Sequence, residues 1–335
     1  TGIRRVWQEV LKVWAGQGRD VVLLNRAGAK YPLRVDAIRV REFGPHRYDD
    51  LACDRQALQA VCDQEHAGVF FSSYFTRPEH TPQVLAIHDM IFEVLGLPDN
   101  MMWAEKADAI CHAARFTCAS CNTESDLLKV HPHVLGKTRV AHYGVSAEFR
   151  PPAPEELASW RQAMPLPYYL LVGARGGYKN AVALPLALAG MDTDAAVVCA
   201  GFMPLETELQ QAAPDVPMVA THFSDDELRA VYGGALALVF PSRYEGFGLP
   251  VVEAMACGCP VICSNQASLP EVVGGAALLV DIDDTRGLQE ALREVRLPEK
   301  RTHLIAAGLE RAKQFTWDTL ANALWTAAEE AAREG

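Results

Sequence analysis

Short apolar runs alternate with amphipathic stretches along all 335 residues, and nothing else in the chain restricts its fold as much. Runs that read as strands lie at 21–24, 69–72, 84–88, 116–119 and 139–142, then at 169–172, 196–200, 218–220, 236–240, 261–263 and 277–280. Helical patterns separate most of them. Apolar strands joined by crossover helices make parallel sheets covered on both faces. Two such series predict an α/β protein of two doubly wound domains. The first spans residues 1–148 and the second 149–315, with a final amphipathic helix in 316–335 anchored by Trp317. Pro151, Pro152 and Pro154 interrupt regular structure and mark the linker. Helix begins at once after Thr1, so a first strand is expected to be absent from this record. Parallel sheets bind ligands beyond the carboxyl ends of their strands, and two facing domains would make a cleft there.

The richest such strand end is PSRYEGFGLPVVEAMACGCPVI, residues 241–262. Pro250 suits the first helical position and Gly258 the carboxyl cap, so the segment reads strand, tight turn, helix start. Gly246 and Gly248 allow the backbone close to a ligand. The amides of Phe247, Gly248 and Leu249 then stand at the positive end of a helix dipole, an anion site. A carboxylate does not suit a phosphate. Glu245 and Glu253 are therefore acceptors for neutral hydroxyls on either flank, and a sugar nucleotide supplies both phosphates and hydroxyls.

Glu245 and Glu253, with the glycines, Pro250 and residues 254–262 in register, resemble the E-x7-E pattern of retaining glycosyltransferase family 4, the glycosyl transferases group 1. Residues 171–180 (LVGARGGYKN), 268–274 (SLPEVVG), 224–228 (SDDEL), 87–91 (IHDMI) and 1–4 (TGIR) are similar to the family as well. The resemblance implies the GT-B fold of two facing Rossmann-like domains. It also implies transfer of a hexose from a nucleotide diphosphate sugar to a glycan or lipid-linked acceptor, with retention and no metal or other cofactor. GDP-mannose is preferred as donor, with a UDP-hexose close behind. By the same resemblance Glu245 binds sugar hydroxyls, aided by the Gly246, Phe247 and Gly248 amides, and Leu249 meets a phosphate. Glu253 takes the ribose, and Arg175 and Lys179, after Gly173, clamp the diphosphate. His88 touches the donor sugar or acceptor, with Asp89 placed to orient it. Gly2 lies near phosphates or an anionic acceptor, and Gly201 and Phe223 lie near the base. Cations at a diphosphate leaving group favour the transition state over the ground state.

Composition narrows the partners. The net charge of −11 argues against nucleic acid. Residues 1–150 are neutral overall, with 18 basic and 18 acidic side chains, so the second half carries the excess. The stretch to Arg41 is locally basic, a solvated face or a surface for anionic lipid or acceptor. Nine cysteines without a secreted framework, and no run long enough to span a bilayer, suggest a cytoplasmic protein, peripheral at most.

Several patterns compete. Asp192-Thr-Asp194 and Asp281-Ile-Asp283 are formal DxD sequences, yet each reads as a turn or cap. Cys118, Cys121, His131 and His133 lack zinc-site spacing. Gly173 to Gly177 is not G-x-G-x-x-G, which weakens a dehydrogenase reading. A nucleotide-sugar epimerase and a non-catalytic sugar-nucleotide subunit remain as alternatives. Tyr143 stands where the family often has Asn.

Overall fold

The computed structural model describes residues 2–29, 32–47, 49–98 and 101–334. Thr1 and Lys30, part of the expected motif and basic stretch, lie outside the described residues. The chain forms two compact units, Thr1–Gly144 with Thr316–Gly335, and Val145–Phe315.

The first unit carries strands β1 (Val22–Arg26), β2 (Arg39–Phe43), β3 (Phe70–Ser72), β4 (Gln83–Ile87), β5 (Arg115–Cys118) and β6 (Thr138–Val140). β1 and β2 form one parallel pair, and β3, β4, β5 and β6 form a second parallel sheet in that order. β4 is buried at every position, as a central strand with both faces covered must be. β2 has no counterpart among the expected strands. Its sequence, Arg39-Val-Arg-Glu-Phe, is mostly charged and lies on an exposed edge. Arg39 and Arg41 both pair with Glu65, and Arg26 makes a two-pronged bond to Asp54 at 2.7 Å. The basic stretch is thus partly neutralised within its own unit.

The helix Trp317–Glu334 returns to this unit and packs on the helix Gly2–Gly16. Trp14 Nε1 donates to the Ala321 carbonyl at 3.0 Å, and the Trp14 and Trp325 rings meet edge-on at 5.6 Å. Gly144 lies under its start: an added Cβ would stand 2.3 Å from the Trp317 backbone nitrogen.

The second unit is a single parallel sheet of β7 (Tyr168–Val172), β8 (Ala196–Ala200), β9 (Met218–Thr221), β10 (Ala237–Phe240), β11 (Val261–Ser264) and β12 (Leu278–Val280). Its order is β12-β11-β10-β7-β8-β9. The chain steps outward from β7 through β8 to β9, then restarts at β10 on the other side. That reversal places the switch point between β7 and β10, where doubly wound sheets bind ligands. Tyr169, Leu171, Val197, Cys199, Val239 and Ile262 build the core. Within the expected linker, Pro154 opens the helix Pro154–Ala163. A proline there needs no donor of its own, so the proline cluster does not stay irregular throughout. No described helix is long and apolar enough to cross a membrane.

Candidate functional site at the switch point of the second sheet

The loops that follow β7 and β10 flank the switch point and are tied together. The Arg243 N–H donates to the Tyr178 carbonyl at 2.8 Å. After β7 the chain turns through Gly173 (φ +93°), a short 3-10 turn at Gly177–Lys179, and Asn180 (φ +52°). After β10 it turns through Gly248 (φ +101°) into the helix Leu249–Ala256. A Cβ on Gly248 would lie 2.9 Å from the Leu269 side chain, so both backbone angle and space demand glycine. The helix starts one residue earlier than expected, with Leu249 ahead of Pro250. Among the described residues no side chain caps it; Pro250 has no N–H and the Val251 N–H donates to the Gly248 carbonyl at 2.9 Å, so the Leu249 amide is the first-turn donor placed for a ligand.

Lys179 and Glu245 meet at this turn. Lys179 Nζ lies 2.6 Å from Glu245 Oε1, and the same ammonium sits over the Tyr178 and Phe240 rings at 5.0 and 5.8 Å. A cation and a hydroxyl acceptor are thereby held side by side against the helix start. Glu253 is buried one turn inside the helix, and its Oε2 accepts from the Tyr232 hydroxyl at 3.0 Å. Burial holds the Tyr232 hydroxyl protonated, its pKa raised well above the usual phenol value. Phe247 turns its ring inward against Phe315 at 5.5 Å, leaving its backbone to the turn.

Arg175 is placed differently from Lys179. Its side chain is 1% exposed and its Nε donates to Glu206 Oε2 at 2.7 Å. Its Nη2 donates to the Met203 and Pro204 carbonyls at 2.7 and 2.9 Å, while Nη1 is buried without a partner among the described residues. Arg175 therefore fixes the segment 203–206 from beneath. Gly201 shares this junction, since a Cβ there would lie 3.1 Å from the Gly173 carbonyl oxygen. Beyond β8 and β9, Phe202 is 77% exposed and stacks on His222 with centroids 3.9 Å apart. Phe223 packs edge-on against Trp160.

Ser268 carried no role at the level of sequence, yet it is bonded to this turn. Fully buried, its hydroxyl meets the carbonyl oxygens of Glu245 at 2.8 Å and Phe247 at 3.2 Å. It pins the turn from outside the turn's own sequence. Replacing Ser268 with alanine removes this brace, at a cost of about 1–3 kcal/mol for a buried acceptor left unpaired. The expected result is a donor KM raised about tenfold with a smaller change in kcat, read from initial rates across donor concentration.

His88 belongs to the first unit, at the end of β4. Its Nδ1 is 2.5 Å from the Tyr143 hydroxyl, and Nε2 is buried without a partner among the described residues. Asp89, expected to orient this ring, instead accepts from the Ile91 N–H at 3.2 Å and starts the next helix; Tyr143 is the side chain on the imidazole. Burial lowers the His88 pKa from the usual value near 6.5 to about 4, against the opposing pull of the Asp89 charge. A depressed histidine contributes stability that is complete above its unfolded pKa and lost as pH falls from about 6.5 through about 4. Melting temperatures over that window should therefore fall, and less steeply in His88→Gln. Gly2 is exposed at the start of the helix Gly2–Gly16.

The competing patterns have structural partners. Asp194 pairs with Arg296 at 2.9 Å and Asp283 with Arg243 at 2.8 Å. Cys118 is buried, which raises its thiol pKa, while Cys121 is exposed.

Residues 179–296 match the family described as Glycosyl transferases group 1. The matched stretch lies wholly within the second unit. The O-antigen chain mannosyltransferase B of Escherichia coli is 47% identical over 95 residues, 28% of this chain and 25% of that protein. The O-antigen chain mannosyltransferase RfbU of Salmonella typhimurium is 34% identical over 139 residues, 39% of each chain. The chain thus aligns with less than half the length of these curated relatives. Sucrose-phosphate synthase of Thermosynechococcus elongatus superposes with a TM-score of 0.80 at 20% identity, covering 98% of this chain and 92% of that one. Anabaena HepE, solved with UDP and glucose, superposes with a TM-score of 0.75 at 14% identity, covering 100% and 95%. At these identities the likeness establishes the fold alone, the GT-B architecture that the sequence resemblance implied.

Proposed function

We propose that this chain transfers a hexosyl group from a nucleotide diphosphate sugar to a glycan or lipid-linked acceptor in surface polysaccharide synthesis, with retention and without a metal. The pairing of Lys179 with Glu245 at an uncapped helix start, beside the switch point, carries this reading. As the bond from the anomeric carbon to the diphosphate oxygen breaks, its electron pair goes to that oxygen. Lys179 and the amides at Gly248 and Leu249 meet the growing charge, an effect larger in the transition state than in the ground state. Glu245 accepts hydrogen bonds from hexose hydroxyls. Glu253, braced by Tyr232, accepts from the ribose. The acceptor hydroxyl attacks on the face the diphosphate leaves, and its proton passes to the departing phosphate oxygen.

Arg175 serves by holding segment 203–206 and offers Nη1 as its remaining donor. Gly201, Phe223 and the Phe202–His222 stack are assigned to the base side. His88, neutral above about pH 4, is the first unit's contact to donor or acceptor, and Gly2 lies toward anionic groups on that side. The mannosyltransferase relatives favour GDP-mannose; the neighbour solved with UDP and glucose keeps a uridine donor second.

Thermal-shift measurements with GDP, GDP-mannose, UDP and UDP-glucose test the donor. The expected result is a rise with one nucleotide pair, larger for guanine, and nucleoside diphosphate release that requires an acceptor and is indifferent to EDTA. No shift with any of the four compounds would remove the proposal, and activity lost to EDTA and restored by a divalent cation would remove its metal-free form.

A further inference from the structure

β4 ends at Ile87, and His88 follows it at the carboxyl edge of the first unit's parallel sheet, where such sheets take their ligands. The residue is 8% exposed, and its Nδ1 lies 2.5 Å from the Tyr143 hydroxyl. A neutral imidazole carries one N–H and one bare nitrogen, so the bond at Nδ1 decides which of the two Nε2 presents. Burial keeps this ring uncharged down to about pH 4, while the Asp89 charge favours the charged form and the Lys106 charge opposes it.

One arrangement fits the distance. N–H···O bonds span about 2.7–3.2 Å, whereas O–H donors reach down to about 2.5 Å. At 2.5 Å the Tyr143 hydroxyl is the donor and Nδ1 the acceptor. Burial holds the phenol proton, raising its pKa well above the usual value. Nε2 then bears the ring's single proton, and it is buried with no acceptor among the described residues. The Ser73 backbone also favours a proton on the ring, without closing a bond to Nε2. A buried donor left without an acceptor is uncommon and costly, and an oxygen of a bound molecule would satisfy it. Both partners are held from behind. Lys106, 1% exposed, donates to the Asp89 carbonyl at 3.0 Å and to Glu93 at 2.9 Å, which pins the turn after His88. Tyr143 precedes Gly144, whose backbone lies against Trp317, and the His88 and Tyr143 rings meet edge-on at 6.0 Å.

We propose that Tyr143 is the positioning residue of His88: its hydroxyl donates to Nδ1, fixes the proton on Nε2, and makes His88 a hydrogen-bond donor to an oxygen of the substrate and not a base. The inference rests on the reading that His88 meets the donor sugar or the acceptor. With Nε2 protonated and Nδ1 engaged, the ring has no free lone pair for the proton of the attacking hydroxyl. That proton goes to the departing phosphate oxygen, and His88 stays neutral throughout. The group that meets Nε2 must accept, as a hydroxyl, an ether or a phosphate oxygen does. A group that can only donate, such as an ammonium, has no place there.

Nitrogen NMR of the histidine side chains, with His88→Gln to assign the signal, reads the tautomer in the unliganded protein near neutral pH. The expected result is a protonated Nε2 and a bare Nδ1 in the unaltered protein, and a mixture of both tautomers in Tyr143→Phe. Initial rates give the second readout. Tyr143→Phe lowers kcat/KM by about tenfold, and His88→Gln, which keeps an N–H donor, loses a similar factor. The double variant loses no more than His88→Gln alone, because both changes act through one ring. A proton on Nδ1 in the unaltered protein overturns the proposal without any variant having to fold. So does a loss of about 10²–10⁴-fold in His88→Gln, the scale of a missing general base. Additive losses in the double variant, or unchanged turnover in Tyr143→Phe, overturn it as well. The tautomer is read without ligand, so it tests Tyr143 even if no sugar nucleotide binds; that last outcome would remove the donor reading instead.

Discussion

Replacing Lys179 with alanine lowers kcat/KM for the donor by about 10²–10³-fold. Three features set that scale. The Lys179 side chain is 20% exposed, so its field is only partly screened by water. It lies beside the helix start where the diphosphate is assigned, so its interaction grows as the leaving group gains charge. It is also oriented in advance, by Glu245 at 2.6 Å and by two aromatic rings, so little reorganisation accompanies the reaction. Lys179→Arg keeps the charge but not the shape, and should recover part of the loss. Rates at several donor concentrations, with a melt to confirm folding, decide the matter. Turnover like the unaltered protein's in Lys179→Ala would mean that the cation is structural. Arg175→Ala is not an equivalent experiment, because it also leaves Glu206 and two carbonyls without their buried partner.

Replacing Gly144 with alanine lowers the melting temperature by roughly 5–10 °C. Its Cβ would lie 2.3 Å from the Trp317 nitrogen, 2.7 Å from the Thr316 carbonyl carbon and 2.7 Å from the Trp317 ring. Two of those three atoms are backbone and cannot rotate aside, so relief requires displacing the start of the helix Trp317–Glu334. That helix carries the Ala321 carbonyl for Trp14 and the Trp325 ring. Scanning calorimetry reads the outcome directly; an unchanged melt would show that the chain at Thr316 yields at little cost.

Strands such as Ala196–Ala200 were legible because a buried parallel strand must be apolar on both faces, and few other elements read that way. β2 was not, because Arg39-Val-Arg-Glu-Phe meets no such demand at an edge. At the site, the turn and its helix could be read because glycine, proline and acid act over a few neighbouring residues. Partnerships across long stretches of chain left no local trace. Glu206 sits in no motif, yet it holds Arg175 from 31 residues away. Ser268 braces Glu245 across 23 residues. Tyr143 was visible only as a departure from a pattern; its bond to His88, 55 residues distant, supplies the physical content of that departure.

The Val145 N–H donates to the Phe315 carbonyl at 3.2 Å, so the chain enters and leaves the second unit at one spot. The second unit is thus an insertion with its two ends side by side, set between two segments of the first unit that the helix Trp317–Glu334 brings back together. Exchanging residues 145–315 as one block therefore cuts the chain at a single place and leaves the first unit's own contacts intact.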